Sequence, residues 1–135
     1  MSLGLVARDD ATAEFLDGAA RGQFLIRQCA VCGRHSGPQA QQCHHCGSAE
    51  LSWVPASGAA TLVSWAIAYA RPAADGTVAT TVLAIAQLAE GPWWWSQITD
   101  ASDPGALRPD QPLQIGFEQP AGSEPIPVFR LAAGA

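Results

Sequence analysis

Hydrophobic and polar positions follow two different rhythms along the chain. Between Thr12 and Gly22 the apolar residues Phe15, Leu16 and Ala19 share one face at helical spacing, with Thr12 placed to cap the helix and Gly18 and Gly22 as stop signals. Gln23-Phe24-Leu25-Ile26-Arg27 then reads as a short strand, and the polar stretch from Gly33 to Gln42 turns at Gly37-Pro38. Beyond Cys46, β-branched and aromatic runs alternate with Gly, Pro and Asp, and no helical period is sustained. This rhythm predicts strands over 58–69, 78–88, 92–99, 112–118 and 126–131, with a longer polar connection over 100–111. Five strands with one long connection fit a small Greek-key barrel of the OB-fold kind better than a two-sheet sandwich. The expected class is therefore mainly β: a helical arm over 1–22, a four-cysteine ribbon over 23–52 and a five-stranded barrel over 53–135.

The cysteines sharpen the middle segment. All four fall in two Cys-x-x-Cys-Gly units, Cys29 to Gly33 and Cys43 to Gly47. Each unit can turn two thiolates toward one ion, so Cys29, Cys32, Cys43 and Cys46 are expected to bind one zinc ion, with iron as the rival metal and two disulfides as the metal-free alternative. Four thiolates fill a tetrahedral shell and leave no place for water or substrate, so the ion is expected to be structural. A ribbon this short has little core of its own, and its folding should depend on the metal. Replacing any of the four cysteines by Ser is expected to unfold the ribbon and leave the barrel largely intact. His35, His44 and His45 lie beside these turns and read as solvated side chains. No Ser, His and Asp arrangement and no Gly-rich phosphate loop stands out.

Trp93-Trp94-Trp95 follows Gly91-Pro92. Side chains in a strand alternate faces, so Trp93 and Trp95 should share one side and Trp94 the other. A small barrel does not readily bury three consecutive indoles. The triplet is thus a candidate contact for a partner, unless the ribbon, a loop or the helix covers it. Trp53 and Trp65 read as junction and core residues.

Charge decides between partners. The seven cationic side chains are all Arg, and the formal net charge is −5. From Gly58 onward only Arg71, Arg108 and Arg130 oppose seven acidic residues. A ribbon followed by a barrel invites a nucleic-acid reading, but single-strand binding needs a basic groove as well as aromatics, and this chain lacks one. No apolar run reaches membrane-spanning length, and Met1 to Asp10 lacks the pattern of an export signal, which points to the cytoplasm.

Taken together, these segments resemble the DUF35 family, which pairs a rubredoxin-like zinc ribbon with an acyl-CoA-associated OB-fold. The resemblance runs from about Glu14 to Arg130 and rests on Phe15-Leu16-Asp17-Gly18, the metal turns Gln28 to Gly33 and Cys43 to Ser48, and the barrel opening from Ser57-Gly58-Ala59 to Val63-Ser64-Trp65. Glu90-Gly91-Pro92 and Ile126-Pro127-Val128-Phe129-Arg130 complete it. The chain departs from the family pattern at His44 and Ala60, where Pro and Gly are usual, and over Arg108 to Leu113. The resemblance implies a non-catalytic accessory subunit docked on a thiolase, a lipid-transfer-protein-like aldolase or an acyltransferase. Such a subunit stabilises its partner and helps form the channel for a CoA thioester. A stand-alone acyl-CoA-binding protein is the other implied reading. With so few cations, most contacts to the CoA phosphates are expected to come from the partner.

Overall fold

A computed structural model describes residues 6–132. The parts of the helical-arm, export-signal and barrel readings that fall on residues 1–5 and 133–135 lie outside the described residues. The elements run α1 (Ala13–Ala20), β1 (Leu25–Cys29), β2 (His35–Ser36), β3 (Leu51–Pro55), β4 (Ala59–Tyr69), β5 (Thr80–Leu88), β6 (Trp93–Ile98), a 3₁₀ turn (Pro104–Ala106), β7 (Pro112–Glu118) and β8 (Ile126–Leu131). No helix among the described residues is long and apolar enough to cross a membrane.

The last five strands close into a barrel in the order β4-β5-β6-β8-β7, which is the five-stranded OB-fold arrangement. Alternation is cleanest in β5, where Thr81, Val82, Ala84, Ala86 and Leu88 are buried and Leu83, Ile85 and Gln87 face out. A shift of register between Leu62 and Ser64 sets Val63 outside the ladder and bends β4 around the barrel. The other closure is different in kind, since β6 meets β8 in parallel through the single bridge Ile98↔Phe129.

The first sheet, β2-β1-β3, is antiparallel, and β3 pairs with β1 from Leu25↔Pro55 to Cys29↔Leu51. Neither β2 nor β3 was expected. β3 carries the ribbon's sheet on through Pro55, past the cut drawn after residue 52.

The ribbon has no separate interior. Phe24 and Ile26 belong to the same buried cluster as Leu62, Ala86, Leu113 and Phe129 of the barrel. The two share one core, so the barrel is expected to lose stability with the ribbon instead of standing largely intact.

Two details of α1 also differ from the sequence reading. Thr12 stands at the N-cap position as expected, but its hydroxyl caps no helix N–H; it closes a turn with Asp9, whose carboxylate accepts the Thr12 N–H at 2.9 Å while the Asp9 N–H donates to the Thr12 hydroxyl at 3.0 Å. Gly18 does not stop the helix but lies inside it, because that is where α1 rests on the ribbon. A Cβ at Gly18 would sit 2.5 Å from Leu25 Cγ. Gly-to-Ala in a helix interior ordinarily stabilises by about 1 kcal/mol. Here Gly18→Ala is expected to destabilise instead, by roughly 1–3 kcal/mol, because Leu25 is 5% exposed and has little room to yield. Urea unfolding followed by Trp fluorescence measures the sign directly.

Candidate metal centre

Each Cys-x-x-Cys-Gly unit folds as the same tight turn. In the first, the Gly33 N–H donates to the Cys29 carbonyl at 2.9 Å, and in the second the Gly47 N–H donates to the Cys43 carbonyl at 2.9 Å. Both glycines have φ of 78°, a conformation that would strain any residue with a Cβ. This is why each pair ends in Gly.

The turns also aim backbone donors at sulfur. Val31 and Cys32 N–H groups donate to Cys29 Sγ, both at 3.4 Å. His45 and Cys46 N–H groups donate to Cys43 Sγ at 3.4 and 3.5 Å. These donors favour the thiolate. The N–H groups of Cys46 and then His45 bring Cys43 down to about 6, and Cys29 is lowered by the N–H of Cys32 first. Cys46 moves the other way, to about 12: the Ser48 N–H pulls it down, but the neighbouring Cys29 sulfur and burial outweigh that pull. Four sulfurs this close do not all ionise without a cation between them.

The four Sγ atoms lie within 4.8 Å of one another, with Cys29 facing Cys46 and Cys32 facing Cys43 at 3.5 Å. A tetrahedral tetrathiolate shell with bonds of about 2.3 Å has sulfur–sulfur edges of about 3.8 Å. The residues fit a metal ion. The cluster expected from the spacing is therefore assembled, with Cys29 and Cys43 buried and the other two nearer solvent. His44 and His45 are exposed and His35 is half-buried on β2.

The tryptophans are placed on two sides. Trp94 turns toward the ribbon and meets Phe24 at 5.2 Å and Phe15 at 6.0 Å between ring centroids, while Phe15 and Phe24 meet edge-on at 5.4 Å. Trp93 and Trp95 are exposed. Trp53 stacks under the Arg27 guanidinium at 4.3 Å, and Trp65 is half-buried against the barrel core.

Residues 53–118 match the family model of the C-terminal OB-fold domain of ChsH2. The barrel is similar to that OB-fold domain. In overall fold the chain is similar to the ChsH2 (DUF35) chain of an Ltp2-ChsH2 aldolase, with a TM-score of 0.78 and 24% identity over 94% of this chain and 98% of that one. It is also similar to a DUF35-family protein of unknown function from Sulfolobus solfataricus, with a TM-score of 0.61 and 15% identity over 91% and 86% of the two chains. A curated relative, described as a probable enoyl-CoA hydratase alpha subunit of Thermomonospora curvata, is 25% identical over 127 residues. The chain spans only 39% of that relative's length.

Proposed function

We propose that this chain is a non-catalytic accessory subunit of a complex acting on CoA thioesters in the cytoplasm. Its partner in this reading is a thiolase-superfamily protein of the lipid-transfer-protein-like aldolase, thiolase or acyltransferase kind. The observation that carries the proposal is the close match, over nearly the whole of both chains, to the ChsH2 chain of an aldolase. The metal centre agrees with it. Zinc held by Cys29, Cys32, Cys43 and Cys46 has all its positions filled by protein, so its part is to fix the ribbon against the barrel and not to activate a substrate. The partner supplies the reacting residues and most of the contacts to the CoA phosphates, and this chain stabilises the partner and adds wall to the acyl channel.

The experiment is purification from native cells, with zinc measured by plasma mass spectrometry and acyl-CoA turnover assayed for each chain alone and together. Turnover is expected to need the partner, to be inactive or unstable without this chain, and to accompany one zinc per chain. Turnover by this chain alone, or tight binding of acyl-CoA to it by calorimetry, would overturn the reading.

A further inference from the structure

Strand β5 is apolar on both faces, and only one of them is covered by the barrel. Leu83 and Ile85 point outward and remain 49% and 37% exposed. The ladder sets Ile85 opposite Trp95 and Gln87 opposite Trp93, and on the other side sets Ala66 opposite Leu83. Residues directly opposite in an antiparallel pair share a face. Leu83, Ile85, Trp93 and Trp95 therefore form one outer surface across β5 and β6. With Trp93 53% and Trp95 60% exposed, the four side chains leave on the order of 400 Å² of apolar area, the size of the largest patch on an ordinary monomer, which is often a functional one.

The chemistry of the face selects its occupant. Outward positions from Leu83 to Gln87 and from Trp93 to Gln97 carry no charge, in a chain with seven Arg and twelve acidic residues. CoA phosphates, nucleic-acid backbones and anionic lipid head groups find no cation there. The surface is the pleated outside of a sheet and gives a small ligand no enclosure. What remains is the surface of another protein, apolar at its centre and bordered by groups that hydrogen-bond Gln87 and Gln97. Trp95 suits the role of anchor because it is already held: its ring stacks on Trp94 at 5.4 Å and 24°, and Trp94 is packed against Phe15 and Phe24. A pre-oriented indole loses little freedom on binding. A stable interface takes about 800 Å² from each partner, roughly twice this patch, so two copies meeting through this face alone fall short. A larger partner reaches past Gln87 into the neighbouring apolar groove of Ala59, Ala89, Gly91 and Pro112.

We propose that the outer face of β5 and β6, centred on Trp93, Trp95, Leu83 and Ile85, is the docking surface for an uncharged apolar patch on the thiolase-superfamily subunit. This rests on the accessory-subunit reading above and removes Trp94 from the contact set. The test uses the full chain and the subunit that co-purifies with it from native cells, identified by mass spectrometry and then purified separately. Trp93→Ser/Trp95→Ser is expected to weaken binding in titration calorimetry by about 100-fold or more, and Ile85→Asp by roughly 30-fold. Both variants should keep the metal content and the far-ultraviolet circular dichroism of the parent at the temperature of the titration. Unchanged affinity in both overturns the docking face and leaves the accessory reading standing. Absence of a thiolase-superfamily subunit from the native material overturns the reading beneath it. A homodimer in sedimentation that these variants dissociate overturns the choice of occupant.

Discussion

Cys29→Ser, or removal of the metal by a strong chelator, is expected to lower the melting temperature of the whole molecule by about 10 °C or more, in a single broadened transition. Cys29 ends β1, the strand that also carries Ile26, and Phe24 stands immediately before that strand. Ile26 is fully buried and Phe24 is 2% exposed within the barrel's own cluster. The register of β1 is fixed along its length by its pairing with β3, and at its metal end also by the sulfur turns, through the Cys29 N–H to the Arg34 carbonyl at 2.9 Å. Without the ion those turns lose the cation that holds four sulfurs together. β1 then frays from its metal end, and the core loses its cover. Scanning calorimetry with near-ultraviolet circular dichroism of the tryptophans checks this. A barrel transition unchanged in position after quantitative metal loss would show that the shared core contributes nothing.

Phe24→Ala tests the same coupling without touching the metal, and is expected to cost about 3–5 kcal/mol in urea unfolding. The ring fills the angle between Phe15 and Trp94, edge-on to both, with interplanar angles of 89° and 72°. Truncation removes the transfer free energy of the ring and leaves a void that three separate elements would have to close. Because α1, β1 and β6 are each held elsewhere, by Gly18 against Leu25, by β3 and by β5, collapse into the void is limited. A cycle with Trp94→Phe separates the pair energy, expected at about 0.5–1.5 kcal/mol, from the cavity. A loss below about 1 kcal/mol, with native metal content, would mean that α1 and the ribbon repack freely over the barrel.

What the sequence made legible was what depends on nearby residues. The metal turns are complete within five residues each, so their spacing sufficed. The five barrel strands are long, β-rich and punctuated by Gly, Pro and Asp, and the observed β7 and β8 coincide with the expected ranges. What stayed hidden depends on distant partners. β3 is a five-residue strand whose stability comes from lying against β1, and β2 is only two residues long. Gly18 looks like a helix breaker until Leu25 is found 2.5 Å from its missing Cβ. Thr12 has the chemistry of a cap, but Asp9 engages it first. Leu83 and Ile85 were not singled out as surface residues. Their signal was present, since a strand apolar at consecutive positions in a single-layer barrel must turn some of them outward. The cross-strand register alone shows that Ile85 lies opposite Trp95 and Leu83 opposite Gln97.

The parallel meeting of β6 and β8 has a mechanical meaning. Pro127 has no N–H to give, and the Ser96 hydroxyl donates to the Pro127 carbonyl at 2.6 Å, beside the Thr99 N–H to the Phe129 carbonyl at 3.1 Å. The barrel is thus a strip fastened by a clasp. The laddered strands β4, β5 and β6 are expected to move as one plate that parts first along this line, so the Thr99 amide should exchange with solvent before the amides inside β5 while the plate's outward surface keeps its shape.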